Sequence, residues 1–337
     1  MPSRTALVGF GLAGRVFHAP LIAADDAYSL DVIVTGDPGR VADAQQRYPE
    51  ARVVPSLEEA LAQEVDLVVV ATPPQTHVPT ATAALEAGCA VVVDKPLSVD
   101  VASGRELVAR AAELGQVLVP FQNRRWDSDF LTLRRLLDSG ALGEVHRYES
   151  RIERWKTGQT KAWKAEATWR EGGGVLFDLG AHLIDQALVL FGPAEVVHAE
   201  VSQYGGAADD DVFVSLEHDG GTQSHLWMSL VVGQPGPRLR VLGSQAAFTV
   251  AAGDVQEDQL GRGMLPTDPG YGRPTAEDDG VLGVVGDLAR VPSEPGSYPT
   301  FYSLLATALR DDGPLPVDPS ESLAVIEIIE EIHTALS

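Results

Sequence analysis

The first third of this chain has a rhythm that leaves little freedom in how it can fold. Short apolar runs recur there: "TALVGF" (5–10), "SLDVIVT" (29–35), "VDLVVVAT" (65–72), "AVVVD" (90–94) and "QVLVPF" (116–121). They do not alternate polar with apolar residues, so they read as strands covered on both faces, as parallel strands are. Helical patterns lie between them. Ser56-Leu57-Glu58-Glu59 reads as a capping box opening a short helix, and helices over 75–87 and 99–114 stop at Gly88 and Gly115. Repeated β-α-β units of this kind imply an open, doubly wound parallel sheet.

The first run ends in "GFGLAG", which is Gly9, Gly11 and Gly14 in the G-x-G-x-x-G spacing. The pattern alone is weak evidence. Here it follows a strand, opens a helical segment and starts the first β-α-β unit, the setting in which it binds a dinucleotide. Gly9 permits the tight turn, Gly11 lets backbone approach a diphosphate, and Gly14 lets helix and strand pack closely. The turn Gly9, Gly11, Leu12, Ala13 and Gly14 is therefore the expected phosphate cradle, with amide hydrogens of the helix start aimed at the anion. A tight turn that binds nothing is the bland alternative.

At 337 residues the chain exceeds one ordinary core. Its character changes near residue 121, so two domains are expected, 1–121 and 122–337. The second opens with an amphipathic helix over 126–140. Strand-like segments follow at 144–152, 194–204, 211–217, 222–231, 238–243 and 246–251, with turn signals between them. Strands in succession imply an α+β domain with a large open, mainly antiparallel sheet. The stretch 252–297, rich in Gly, Pro and Asp, reads as a long irregular loop, and helices over 298–310 and 319–335 close the chain.

Lys and Arg total 25 against 48 Asp and Glu, a net charge of -23. Such a surface repels nucleic acid and anionic membranes, so neither is an expected partner. Cys89 is the one cysteine, so no disulfide can form within the chain, which fits a reducing compartment. The N-terminus runs straight into a strand with no signal-peptide pattern, and no apolar run has membrane length. A cytoplasmic location is expected.

The segment "EGGGVLFDLGAHLIDQALVLFG" (171–192) stands apart, with its apolar positions recurring at helical spacing. Asp178 and His182 are four apart, one turn along one face, and Asp185 is three beyond His182. An acid beside an imidazole raises its basicity and can fix its tautomer, as a proton-abstracting base needs. An isolated D-x-x-x-H is more often a solvated polar face. A metal pair needs a third ligand, which the neighbouring sequence lacks, so no metal is expected. Lys95, in "VVVDKPLSVD" (91–100), ends a buried strand on a charged pair. It is either a plain strand end meeting water or a cation placed at the carboxyl edge of the sheet for a ligand.

"GFGLAG", then "DKP" at 94–96, then "GGGVLFDLGAHLID" at 172–185 resemble, in order and spacing, the Gfo/Idh/MocA family of NAD(P)-dependent oxidoreductases. The resemblance covers essentially the whole chain. The family's middle motif is usually Glu-Lys-Pro, so Asp94 departs from it. A subgroup similar to bacterial scyllo-inositol dehydrogenases has the Asp form, together with stretches like "GLAGRVFHAP" (11–20) and "NRRWDSDF" (123–130). The resemblance implies that Lys95 reaches the junction of nicotinamide and substrate. It also implies that Asp178 and His182 face Lys95 across a cleft, the three acting as catalytic residues on a cyclic polyol or sugar. Thr72, Pro73, His77 and Asp94 are expected along the cofactor. Arg125, Arg154 and Trp169 are expected to bind substrate, with Arg124, Trp126, Asp127, Trp155 and Arg170 as neighbours of interest. Each single Trp or Arg among these is as readily a core or surface residue.

Two further expectations concern cofactor and assembly. Aligning "DPGR" (37–40) with the family's helix start puts Thr35 where NAD-specific sites carry an acid on the ribose. Thr35 leaves room for a 2′-phosphate that Arg40, and Arg15 on the first helix, could reach, so NADP is preferred over NAD. The competing reading gives the ribose to Asp37. The helices assigned to the second domain cover only one face of its sheet, so a homodimer or homotetramer through the other face is expected. A sensor that binds the dinucleotide without turning over is the rival function, though it has no reason to keep Lys95 and His182.

Overall fold

Each apolar run of the first third is a strand of one parallel sheet. β1 (Ser3–Val8), β2 (Tyr28–Val34), β4 (Leu67–Val70), β5 (Ala90–Asp94) and β6 (Leu118–Phe121) are joined by β3 (Arg52–Val54), too short to leave a periodic signal. The order is β3-β2-β1-β4-β5-β6. The chain winds outward from β1 in one direction and then from β4 in the other. The winding therefore reverses between β1 and β4, the point at whose carboxyl side open sheets bind ligands. Leu67–Val70 and Val91–Val93 are fully buried, as doubly covered strands must be. Ala81, Ala84 and Leu85 of the helix His77–Glu86 and Leu107 and Ala111 of the helix Val101–Leu114 pack into the same core.

The structure, a computed structural model, describes residues 1–156, 167–205, 208–311 and 313–336. Two units divide them. The first comprises Met1–Asn123, Gln256–Tyr271 and Tyr298–Leu323; the second comprises Arg124–Val255, Gly272–Ser297 and the residues from Ala324 on. The change of character near 121 thus lies close to a unit boundary, but the first unit also takes in later chain. The reason is aromatic packing on the helix Pro299–Asp311. Phe301 meets the Phe121 ring edge-on at 4.8 Å, and the Tyr28 hydroxyl donates to the Tyr302 carbonyl at 2.7 Å.

In the second unit β7 (Val145–Glu153), β8 (Ala194–Ser202), β9 (Asp211–His218), β10 (Gln223–Ser229), β11 (Leu239–Gly243), β12 (Ala247–Val250), β13 (Gly280–Val284) and β14 (Asp287–Val291) form one sheet. Its order is β14-β13-β12-β11-β7-β10-β9-β8, and of its pairs only β7–β10 is parallel. Tyr148, Leu226, Met228, Val241 and Phe248 point to one face and are fully buried. The helix Ala181–Phe191 packs against β7 and β10.

The expectation of an irregular loop over 252–297 is corrected. The stretch contains a helix, Gln256–Gly261, and the β13–β14 hairpin that extends the sheet past β12. Gly280, Gly283 and Gly286 break the alternation that would have marked the strands, and the turn is only Val285-Gly286. Edge strands bury little, and Val281, Val284 and Leu288 are exposed. No helix among the described residues is long and apolar enough to cross a membrane.

Candidate active site

The first unit supplies the carboxyl edge of its parallel sheet. β1 ends at Val8, and the Gly9 amide donates to the Val34 carbonyl at 3.0 Å. Gly9 has φ +99°, and a Cβ there would lie 2.5 Å from the Ala71 carbonyl oxygen just past β4. A Cβ on Gly14 would strike the Gly9 carbonyl. The turn therefore crosses the β1–β4 switch point with no room for side chains at these two places. Above Gly11 the space is open out to Arg40, whose Nη1 is 4.0 Å from an ideal Cβ position on that glycine. Leu12 is exposed, and Ala13 begins a wide helical turn, Ala13–His18, that continues as the helix Ala19–Ala23.

At the end of β2, Thr35 is buried and its amide donates to the Val54 carbonyl at 3.0 Å. Asp37 caps the helix Pro38–Arg47, its Oδ1 accepting from the Arg40 amide at 2.9 Å. Arg40 is exposed, and Arg15 pairs with Asp43 of the same helix at 3.6 Å. Past β4, the Thr76 hydroxyl donates to the Thr72 hydroxyl at 2.8 Å, Pro73 is exposed and His77 is buried.

β5 ends at Asp94, followed by half-buried Lys95 and a cis Lys95–Pro96 peptide. Asp94 Oδ1 accepts from the Lys95 amide at 2.9 Å and lies 3.8 Å from His18 Nε2. Burial alone would raise the Asp94 pKa. His18, Lys95 and His77 overcome that and hold it below the ordinary carboxylate value. His18 is fully buried, bonded through Nδ1 to the Tyr302 hydroxyl at 2.7 Å and packed on Phe121.

The second unit carries Asp178 and His182. The three glycines lead through Val175 into a wide turn, Leu176–Gly180, and then the helix Ala181–Phe191. Asp209 fastens this entry. Its carboxylate accepts from the Leu176 amide at 2.7 Å, and its carbonyl accepts from the Val175 amide at 2.9 Å. Gly174, at φ +93°, leaves the Asp209 carboxylate the space a Cβ would take. Burial pushes the Asp209 carboxyl up to about 6, against the pull of those amides. Asp178 is half-buried and its amide donates to the Gly174 carbonyl at 3.0 Å; His182 is buried.

The next turn of that helix is clamped by arginines. Arg125 is buried and donates to both oxygens of Asp185 at 2.6 and 2.9 Å. Gln186 donates to the Arg124 carbonyl at 2.7 Å and accepts from Arg238 at 2.9 Å, while Arg238 also pairs with Asp129 at 3.0 Å. Asp127 lies in this cluster. Its carboxyl is pushed up to about 8 by burial, with Arg124 opposing and Asp254 adding to the rise. The clamp was not foreseen from sequence. Its signal was present: an Asp inside the apolar run "LIDQAL" (183–188) demands a cation.

Trp169 stacks on His333 at 4.7 Å with near-parallel planes, and the Arg170 guanidinium lies over its ring at 4.3 Å. Burial, with Arg170 adding to the effect, pulls the His333 pKa down to about 4. Arg154 is half-buried with its amide on the Ser229 carbonyl at 2.8 Å, Trp126 accepts through its carbonyl from the Ser297 amide at 2.9 Å, and Trp155 is exposed. Thus Gly9, Gly11, Gly14, Thr72, His77, Asp94 and Lys95 gather at one sheet edge, and Asp178 and His182 on one helix entry. Among the described residues no three metal-ligating side chains are grouped as a metal ion would need.

Comparison with known proteins agrees with this layout. A family model for oxidoreductases with an NAD-binding Rossmann fold matches residues 3–121, and one for the GFO/IDH/MocA C-terminal domain matches residues 130–249. An uncharacterized oxidoreductase of Escherichia coli K12, YdgJ, is 38% identical over 335 residues, 97% of this chain and 94% of that protein. The scyllo-inositol 2-dehydrogenase (NADP(+)) IolW of Bacillus subtilis 168 is 35% identical over 337 residues, 97% of this chain and 92% of that one. The solved structure of the oxidoreductase yvaA from Bacillus subtilis matches with a TM-score of 0.92 at 33% identity, covering 99% of this chain and 97% of that one. With both halves matched by their family models and relatives aligned along nearly its whole length, this chain belongs to the Gfo/Idh/MocA family of oxidoreductases and carries their NAD-binding Rossmann fold.

Proposed function

We propose that this chain is an NADP-dependent dehydrogenase moving a hydride between nicotinamide and a secondary alcohol or ketone of a cyclic polyol or sugar, inositol-like in class. The observation that carries this reading is Lys95, a half-buried cation following β5 at the carboxyl edge of a doubly wound sheet. The 35% identity to an NADP-dependent scyllo-inositol dehydrogenase supports the substrate class and the cofactor.

The residues present fit a dinucleotide. Gly9 and Gly14 crowd backbone where a diphosphate needs close approach, and Gly11 leaves open space bordered by Arg40. Thr35 puts no charge beside a 2′-phosphate, and the Asp37 carboxylate is engaged as a helix cap. Arg40 is the cation for that phosphate. A bound nicotinamide supplies the hydride acceptor in oxidation and the donor in reduction.

In oxidation His182, as neutral imidazole, takes the hydroxyl proton. Lys95 is the cation that would favour negative charge building on a substrate oxygen beside the nicotinamide. Asp178 holds a neighbouring hydroxyl or orients His182. In reduction His182 returns the proton. Arg154 and Trp169 line the polyol, and Arg125 acts through Asp185 on the helix that bears His182.

Self-association belongs to the same reading. The sheet face opposite the buried one carries Phe213, His225 and Trp227, whose rings lie 4.9–6.1 Å apart, with Arg151 3.8 Å over Trp227. A half-buried aromatic face beside the Arg151–Glu149 pair suits a second copy of itself. Light scattering of the wild type and of Trp227→Glu tests this, a monomeric wild type being the contrary result. The function is tested by mixing the protein with NADP and a panel of inositols and sugars and following the reduced cofactor. Turnover supports the dehydrogenase. Tight cofactor binding with no turnover on any polyol favours a sensor.

A further inference from the structure

One buried side chain joins the loop after β4 to the segment carrying Lys95. His77 is 1% exposed. Its Nδ1 lies 2.7 Å from the Pro96 carbonyl oxygen and its Nε2 lies 2.9 Å from the Thr72 carbonyl oxygen. Both partners are backbone carbonyls, which only accept. A neutral imidazole has one N–H and one lone pair. It would bond one carbonyl and present the lone pair to the other at hydrogen-bonding distance, where the two repel. Only the imidazolium donates to both.

Charge in a buried site is costly, and burial is the largest influence on His77, drawing its pKa below the ordinary histidine value. The Asp94 carboxylate at the end of β5 and the two carbonyls act the other way, while His18 on the first helix adds to the lowering. Those are the titratable groups facing the ring, with Lys95 acting on Asp94 in turn. A neutral ring would avoid the burial cost, but it would break one of the two short contacts.

We propose that His77 is a positioning residue that works as an imidazolium, pinning the Thr72 and Pro96 carbonyls together and so fixing Lys95 relative to the loop along the cofactor. Asp94 is its counter-charge, which gives that carboxylate a task besides holding the Lys95 amide. This rests on the reading of Lys95 as a catalytic cation, but the protonation state of His77 can be measured without any turnover.

The test is a long-range ¹H–¹⁵N spectrum of the histidine rings of the whole protein, with His77 assigned from the signals missing in His77→Gln. Both ring nitrogens protonated at pH 7, the two converging carbonyls and Asp94 outweighing the burial that lowers the His77 pKa, is the expected result. A neutral-tautomer pattern at pH 7 overturns the proposal whether or not any polyol is turned over. In Asp94→Asn the His77 titration should move down by about one unit or more; an unmoved titration removes Asp94 as counter-charge and overturns that part. Where turnover is found, kcat/KM of the wild type should fall again at alkaline pH as His77 loses its proton. His77→Gln should be at least about tenfold slower at the wild-type optimum, with its falling limb moved to higher pH and its rising limb unmoved. A falling limb at the same pH in His77→Gln and wild type denies it the positioning role.

Discussion

Replacing Arg125 by Met removes one partner of a buried pair and leaves the other. The side chains of Arg125 and Asp185 are 9% and 3% exposed, and the two hydrogen bonds between them are 2.6 and 2.9 Å long. Breaking such a pair costs about 3–5 kcal/mol, because a buried carboxylate stays behind without its guanidinium. Removing both, as Arg125→Met with Asp185→Leu, should cost far less, on the order of 1 kcal/mol or nothing, because the desolvation of both charges disappears too. The two single changes, at about 3–5 kcal/mol each, then sum to well above the double change, and that excess is their coupling. The single variant also carries a pH signature. Its Asp185 has a folded pKa raised above the unfolded value, so its stability is greatest below the unfolded pKa. Stability then falls as pH rises through the folded one, by at most about 1.4 kcal/mol per unit. Urea denaturation of all four proteins at pH 5 and pH 8, followed by tryptophan fluorescence, measures every corner of the cycle. An Arg125→Met variant within about 1 kcal/mol of wild type would refute the reasoning: the pair would then be wet or replaceable, and the His182 helix would not depend on it.

Lys95→Ala should keep the wild-type circular dichroism, since Lys95 is only half-buried, and lose turnover by about a hundredfold or more; near-normal rates would return Lys95 to a plain strand end. NADP should exceed NAD by about tenfold or more in kcat/KM, about 1.4 kcal/mol of discrimination, and Arg40→Ala should erode that ratio. A tenfold preference for NAD would hand the ribose to Asp37. Asp209, raised from 3.8 to about 6, contributes stability that is full below pH 4 and lost as pH climbs through 6. Asp209→Asn keeps an acceptor for the Leu176 amide and should gain on the wild type over that window by up to about 3 kcal/mol. A constant difference between the two in denaturation at pH 4 and pH 7 would count against it.

The legible parts were those governed by local periodicity. β5 was read to the residue at 90–94, because a run of valines between a helix stop and a charged pair admits little else. Ser56 caps the helix Leu57–Leu61 as its spacing said, accepting from the Glu59 amide. Pairing over long distances was not legible. Asp185 read as a neighbour for His182, and nothing local announced that its oxygens accept from Arg125, sixty residues away in sequence. Asp209 carries no local signal, and its use as the fastening of the glycine entry exists only once β9 is in place. His77 read as a residue along the cofactor, and nothing local reveals two carbonyls converging on its ring. The β13–β14 hairpin was hidden by its glycines and by how little an edge strand has to bury.

The return of the helix Pro299–Asp311 to the first unit has a consequence for synthesis. Phe121 and His18 are emitted early, but Phe301 and Tyr302, which cover them, follow Phe121 by about 180 residues. At roughly 5–20 residues per second, a ribosome needs on the order of 10–35 seconds to bridge that gap. Through that interval the nascent sheet has its glycine turn and its strands, yet the side of β6 that bears Phe121 is bare and His18 lacks its tyrosine. Stalled chains of about 200 residues should be cut by protease near β6, and released full-length chains should resist. The half of this enzyme that is written first is therefore finished nearly last, and the cell must shelter it until the final helices emerge.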